Sequence, residues 1–512
     1  MRKIVLSLLL LSGAAAANAG GILTNSNQSA AYVRLLSRNA STDLDAVFYN
    51  PAGLAYLQDG FHISLNNQFL FQKRTIYNDY PYLNDKTYTG DVTVPFFPSI
   101  YAAYKKNDWT IFAGFNPTGG GGKATFNNGL PSFEIPVSNI PTLLTQKGIP
   151  TSAYALDMSF DGTSIFYGAQ VGATYKVNSW LSVSAGARFI YAKNTYEGYM
   201  RNIRINPANA LNPTGGFISA PEFFKNMSNQ AAGAANSLQP IIAGNGGGLT
   251  LAQAQAAGII NAAQAGQLQA GLGKDYNAAL TISQIQTMYN GSAALLGGYA
   301  AATADKDVDA KQVGFGITPI LGVDFKPNDK LNIGIRYEFK TEITLENKTK
   351  VDGTGMFPDG EKSKSDMPGV LAIGVDYKII PDLKLSGSWT HYFDKNANWN
   401  GKEQFISDNL YEIALGVEYN VNPRLQLSMG YLYVQTGAGQ GYQSDINYSL
   451  SSNSVGFGTG YMLTEKLKVN MGMIYTQYVE GTRTLQYANG ITAKETYNKS
   501  NTGFAIGFDY RF

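Results

Sequence analysis

From residue 60 onward, apolar and polar side chains alternate with a period of two. In 329–346, Leu331, Ile333, Ile335, Tyr337 and Phe339 share one face, while Asn332, Gly334, Arg336, Glu338 and Lys340 share the other. The same alternation runs through Ile165–Val177, Leu181–Tyr191 and Val313–Phe325, and recurs in 371–379, 383–393, 411–421, 425–433, 455–463 and 467–475. Such a pattern predicts β-strands with one apolar face. The runs reach the length of about 9–11 residues that a tilted strand needs to cross a bilayer, whereas soluble strands average about 5–6. Fourteen strands are predicted, over about 60–73, 94–105, 108–117, 160–177, 180–198, 311–327, 330–346, 364–379, 382–394, 407–421, 424–436, 448–463, 466–480 and 501–512.

Connections alternate in length as well. Asn178-Ser179, Pro327-Asn328-Asp329, Ile380-Pro381, Asn422-Pro423 and Thr464-Glu465 are tight. Long polar connections fall at about 73–93, 117–157, 200–310, 347–362, 395–406, 437–447 and 481–500. Short turns on one side and long loops on the other are the asymmetry of an outer-membrane barrel, with the short turns periplasmic. The fold class expected is therefore all-β, a transmembrane antiparallel barrel over 60–512 in the outer membrane of a Gram-negative bacterium.

Composition sharpens this picture. Charged residues make up only 15% of the 512, Gly numbers 56, and Tyr and Phe number 33 and 26. Beyond the N-terminus no stretch is long and apolar enough for a transmembrane helix, which leaves a closed barrel as the spanning solution. A net charge of +2 carries no nucleic-acid signal. The chain has no Cys and only two His, His62 and His391. Strand parity sends His62 inward at the periplasmic end and His391 outward at the external end, so the two cannot share a hydrolytic site, and no enzyme activity is expected. No metal-ligand cluster, phosphate loop or cofactor motif is present.

At the N-terminus, Arg2 and Lys3 precede the apolar run Ile4–Leu11 and the small-residue site Ala17-Asn18-Ala19. This predicts a signal peptide over 1–19 and a mature start at Gly20. The next forty residues, 20–59, do not alternate and hold Val33, Leu35, Leu36, Val47, Phe48 and Leu54, which are ill-suited to solvent. A plug in the barrel lumen is expected.

That segment carries Asp43-Leu44-Asp45-Ala46 running into Asn50-Pro51-Ala52-Gly53-Leu54. With the fourteen strands and the terminal Phe512, it resembles the long-chain fatty-acid transporters of the FadL and TodX type. The resemblance implies an N-terminal hatch inside the barrel, with Asn50, Pro51 and Ala52 touching an inward kink in the third strand. It implies passive passage of a hydrophobic molecule from outside to a lumenal pocket, then sideways release into the membrane through the kink. The sequence departs from the family in placing Leu35-Leu36-Ser37-Arg38 before the acidic pair. Here the third strand reads Trp109 to Pro117, and Gly114, Phe115, Asn116 and Pro117 are the candidates for the kink, because Pro cannot donate to a ladder and Gly marks bends. The alternative is that Pro117 ends the strand and Gly119–Gly122 form a loop. Phe512, preceded by Phe504, Ile506, Phe508 and Tyr510, resembles the signal read by the barrel-assembly machinery.

A fatty-acid carboxylate needs a cation inside an otherwise apolar pocket. Parity places Arg188 and Arg336 in the lumen near mid-height, with Lys340 further out, and Phe112 and Phe166 inward as tail-channel candidates. Glu338, Glu342, Asp376 and Glu418 also point inward by parity and compete for these cations. The insertion at about 200–310 carries three capping-box signatures, Ser219-x-x-Glu222, Thr250-x-x-Gln253 and Thr281-x-x-Gln284, and is predicted to be helical and extracellular. Its helices either receive ligand or cover the mouth. The expected partners are a long-chain fatty acid or another hydrophobic small molecule, outer-membrane lipid, and no nucleic acid; a monomer is expected. Aromatic hydrocarbons are the alternative cargo, and a general diffusion porin, which would lack the plug, is the more distant one.

Overall fold

The computed structural model describes residues 29–210 and 212–512, so the expected leader and the cleavage site at Ala19 lie outside the described residues. Fourteen antiparallel strands form one closed wall. They are β1 (Gly60–Asn78), β2 (Thr87–Lys106), β3 (Trp109–Phe126), β4 (Tyr154–Lys176), β5 (Leu181–Ile205) and β6 (Lys306–Phe325). β7 has two parts, Leu331–Glu338 and Thr344–Asp352, and so has β8, Lys362–Lys364 and Val370–Ile380. There follow β9 (Leu383–Tyr392), β10 (Tyr411–Asn422), β11 (Leu425–Gln435) and β12 (Ser452–Met462). β13 comprises Leu467–Tyr478 and Gly481–Gln486, and β14 (Thr492–Arg511) pairs with β1 to close the barrel. The chain end lies on this seam: the Phe512 amide donates to the Phe61 carbonyl at 2.9 Å.

Sequence chemistry explains the tight turns. The side chains of Asn178, Asn328 and Asn422 each accept hydrogen bonds from the amides two and three residues on, at 2.9 to 3.0 Å. An Asn side chain mimics a backbone turn in this way. Phe115, Phe189, Phe315, Leu415 and Phe457 are among the outward apolar side chains left exposed for lipid. His391 belongs to this outer surface, stacked on Trp389 at 5.5 Å, and His62 lies inside, 2.8 Å from the Gln58 carbonyl.

Several strands run well past the predicted limits. β3 continues through Pro117 to Phe126, so the glycines after Pro117 belong to the strand and not to a loop. Beyond it lie two short helices, α3 (Pro131–Ser138) and α4 (Ile140–Gln146); α1 and α2 precede the barrel and are described below.

The main correction falls on β7. Up to Glu338 its even positions face the lumen; past the break, Thr341, Ile343 and Leu345 are buried instead, and Lys340 and Glu342 face outward. Lys340 therefore does not enter the lumen: it pairs with Glu342 and Asp366, each at 3.4 Å. The break is accommodated by β6, where a Cβ on Gly316 would lie 2.4 Å from Thr341 Cγ2 and one on Gly314 would lie 2.6 Å from the Thr344 carbonyl oxygen.

Among its described residues the insertion holds four α-helices, α5 (Ala220–Ala243), α6 (Leu251–Ala256), α7 (Ala262–Leu272) and α8 (Ile282–Ala302). Thr250/Gln253 and Thr281/Gln284 form full capping boxes, whereas Ser219 caps without a reciprocal bond from Glu222. A third box, Asn261/Gln264, starts α7 with Asn where the predicted signatures have Ser or Thr. Leu251, Leu268, Ile282 and Ile285 are buried in the helices' own core, while Ile259 is exposed and Ile260 takes its place.

Candidate functional site

The segment from Ser29 to Asp59 lies inside the lower barrel. Helix α1 (Ala30–Leu35) ends on Leu36 in the left-handed conformation and sits against β11 to β14. α2 (Ala46–Tyr49) and a 3₁₀ turn (Pro51–Tyr56) sit against β2 to β7. Lumen-facing glycines make the room. A Cβ on Gly430 would lie 1.8 Å from the Leu35 carbonyl oxygen, one on Gly456 2.3 Å from that of Val33, and one on Gly334 2.3 Å from that of Asn39.

Buried ion pairs tie this segment down. Arg34 Nη1 lies 2.6 Å from Glu418 and donates to Ser428 Oγ at 2.8 Å. Arg38 grips Asp45 with two nitrogens, at 2.9 and 2.7 Å, and reaches Asp43 at 2.7 Å. The departure from the family pattern thus supplies the cation that the acidic pair needs. Burying both charges is tolerable because the geometry is bidentate and the hydroxyls of Ser29 and Ser41 satisfy the remaining lone pairs of Asp45.

Asn50, Pro51 and Ala52 contact the wall, but not at the third strand. Asn50 Nδ2 donates to Asp324 on β6 and to the Ser41 carbonyl at 3.1 Å. The carbonyls of Pro51 and Ala52 accept from Thr174 on β4 at 2.7 Å and from Ser182 on β5 at 2.8 Å. The third strand is met instead by Val47, whose Cγ1 is 2.9 Å from a Cβ built on Gly114, and by the Leu54 carbonyl at 3.4 Å from Thr110 Oγ1.

Above the segment lies a cavity of about 1050 Å³ that reaches up to the extracellular loops. Its floor is made by Tyr32, Leu36, Asn39, Phe48 and Tyr49, and its side walls include Arg188, Arg336 and Glu338. Arg188 holds Glu338 bidentately at 2.6 and 3.0 Å and Gln170 at 2.7 Å. Arg336 Nε is 3.2 Å from the same Glu338, and Arg336 Nη1 donates to the Phe48 carbonyl. Both guanidinium groups lie over the Phe48 ring, at 4.6 and 5.4 Å. Low on the cavity wall, two cations thus share the Glu338 carboxylate, and Glu412 lines the same cavity.

Phe112 and Phe166 point inward as expected, yet neither lines this cavity. Phe112 packs with Val47 and Tyr101 beside the inner segment, and Phe166 packs with Ile190, Ile343 and Leu345. The parity was right, but the inner segment and the β7 break fill the space in front of these rings.

The wall itself is broken between β2 and β3. No ladder pairs join Thr93–Ser99 of β2 to Asn116–Lys123 of β3; pairing resumes at Val92↔Ala124 on one side and Ile100↔Phe115 on the other. Pro95 and Pro98 on β2 cannot donate to a ladder. On β3, Gly120 takes φ +83, and a Cβ there would lie 1.9 Å from the Ser164 carbonyl oxygen, so only Gly follows this path. Val92, Val94, Gly120, Gly121 and Gly122 border both the gap and the cavity. Gly114 and Phe115 are still paired to β2, so the break starts at Asn116 and Pro117 and extends further than the sequence suggested. Asn116 itself is buried and donates to the Pro117 carbonyl at 3.0 Å.

A family profile described as outer membrane protein transport protein (OMPP1/FadL/TodX) matches residues 246–512. A FadL homologue of Pseudomonas aeruginosa superposes with a TM-score of 0.58 at 13% identity, covering 96% of this chain and 99% of that one. The toluene transporter TodX of Pseudomonas putida superposes with a TM-score of 0.53 at 13% identity, covering 96% of this chain and 100% of that one. No curated protein sequence matches the chain.

Proposed function

Because this chain belongs to the OMPP1/FadL/TodX family of outer membrane transport proteins, and so is a Gram-negative transport channel for hydrophobic compounds rather than an enzyme, we propose that its cargo is long-chain fatty acids. The cargo enters the cavity from outside and moves down to the Arg188–Glu338–Arg336 floor. It then leaves sideways into the membrane between β2 and β3. Residues 29–59 act as the hatch that keeps the bore closed below. The observation that carries this reading is the cavity bordered at one level by the unpaired strand edges and, lower down, by the two guanidinium groups of Arg188 and Arg336. An apolar molecule in such a cavity has an apolar way out, whereas the way down is blocked by buried ion pairs. A single barrel contains every part of this path, so the protein works as a monomer, and Phe512 serves its insertion by the barrel-assembly machinery.

Aromatic hydrocarbons are the second reading, favoured by the toluene transporter among the similar structures. Uptake of labelled long-chain fatty acid and of toluene by cells carrying the wild type or the Arg188→Gln/Arg336→Gln variant separates the two. Loss of fatty-acid uptake alone supports the proposal, and equal uptake of both compounds by both proteins refutes it. Large, sustained open-channel conductance in planar bilayers would instead indicate a porin.

A further inference from the structure

Arg74 on β1 and Lys499 on β14 stand directly opposite each other on the seam that closes the barrel. Both side chains line the cavity. Opposed residues in an antiparallel pair have Cβ atoms about 5 Å apart, and like charges at that separation repel.

Several other inward cations have carboxylate partners, whereas Arg483, on the same cavity, donates to the Gln443 carbonyl at 2.8 Å. Arg34 has Glu418, Arg38 has Asp45, Arg188 and Arg336 share Glu338, and Lys384 has Asp376 and Glu418. Arg74 and Lys499 have no carboxylate within ion-pair distance among the described residues. Arg74 Nε donates to Gln72 Oε1 at 3.0 Å, and its guanidinium lies 5.5 Å from the centroid of the Tyr448 ring. Lys499 Nζ lies 4.4 Å from the centroid of the Tyr478 ring. The acids nearest in the fold are engaged elsewhere: Asp445 accepts from the Ser132 amide at 2.9 Å, Glu495 from Asn78 Nδ2 at 2.7 Å, and the exposed Glu480 from Asn498 Nδ2 at 3.3 Å. Below them the cavity wall carries Gln72 and Asn501 and then the apolar Leu70, Val92, Val94 and Ile474.

We propose that Arg74 and Lys499 form a receiving site for the carboxylate head of a single-chain amphiphile, whose tail lies along Leu70 and Val94 toward the gap between β2 and β3. A guanidinium fork and an ammonium together match the two oxygens of a carboxylate, and its charge relieves a repulsion that an uncharged hydrocarbon would leave in place. This rests on the transport reading above and narrows its substrate class to carboxylates.

The test compares palmitate with hexadecanol, which has the same tail and no charge, binding to the full-length purified protein. In the Arg74→Gln/Lys499→Gln variant, palmitate affinity falls by about tenfold or more, as expected for lost charge-assisted hydrogen bonds. Hexadecanol affinity is unchanged, and the melting temperature does not fall, because a repulsion has been removed. Should the double variant misfold, Lys499→Gln alone and the salt dependence of wild-type binding decide the matter, since only palmitate weakens with added salt. Unchanged palmitate affinity, or equal losses for both ligands, overturns the site. If the wild type takes up neither amphiphile and no hydrocarbon, it is the transport reading that fails.

Discussion

Gly430→Ala isolates the role of the inner segment from that of the barrel. The added Cβ would lie 1.8 Å from the Leu35 carbonyl oxygen, 2.4 Å from the Leu35 carbonyl carbon and 3.0 Å from Leu36 Cβ. A carbon–oxygen contact needs about 3.3 Å, so α1 must retreat by about 1.5 Å. That movement stretches the 2.6, 2.8 and 3.1 Å contacts of Arg34 to Glu418, Ser428 and Asn470 beyond hydrogen-bond range. Overpacking costs about 1–3 kcal/mol, and each lost bond to the charged guanidinium adds about 1.5–3 kcal/mol. The ladders from β11 to β10 and β12 use backbone groups only and stay intact. The barrel should therefore fold and keep its heat-modifiable migration on a gel. Amide exchange over residues 30–36 should rise by at least about tenfold, the equivalent of about 1.4 kcal/mol, and ion conductance should increase. Gly387→Ala is the control, since the nearest atom to its Cβ is 3.9 Å away. If Gly430→Ala matches that control in exchange and conductance, the packing account of the inner segment is wrong.

Two other perturbations follow from the buried charges. Arg38→Met leaves Asp45 buried with only hydroxyl partners, at a cost of about 3–5 kcal/mol for a broken buried pair; protease cleavage within 37–46 should appear while the barrel remains resistant. In the loop after β9, burial pushes the Asp394 carboxyl from 3.8 up to about 7, its bond from the Leu410 amide offsetting only part of this. The folded loop then holds a proton that the unfolded loop has released between roughly pH 4 and 7, so its stability falls as pH rises through that window and is flat above it. Protection factors over 394–410, the intrinsic rate at each pH divided by the observed exchange rate, should fall across this range in the wild type, and Asp394→Asn should remove that fall.

How far the sequence alone leads is clearest at β7. The odd positions Leu331 to Phe339 and then Ile343 and Leu345 are apolar throughout, and read as one strand with one lipid face. In the structure the first set faces lipid and Ile343 and Leu345 face the lumen. Past the break Ile343 and Leu345 pack on the inner face of Gly314 on β6, so one unbroken pattern encodes two opposite orientations. That inversion is why Lys340 was misplaced. Parity served well where the surroundings stay constant: Arg188, Arg336, Phe112 and Phe166 all face inward. What occupies the lumen is a separate matter, and the inner segment, Val47 included, takes the space that Phe112 would have lined. Arg74 and Lys499 lie far apart in sequence and become neighbours only through the register of the closing seam, which no local signal carries. The acidic pair at 43–45 was visible, but its partner Arg38 could be recognised only once the turn between them was known.

Sideways exit between β2 and β3 is tested most directly by locking the gap. A Cβ on Gly122 lies 3.5 Å from Val94 Cβ, within the range of about 3.5–4.5 Å that a disulfide requires. The chain has no native Cys, so Val94→Cys/Gly122→Cys introduces a single bridge. Labelled fatty-acid uptake should be abolished under oxidising conditions and restored by reductant, with binding to the purified protein retained in both states. Undiminished uptake with the bridge fully formed would contradict lateral release.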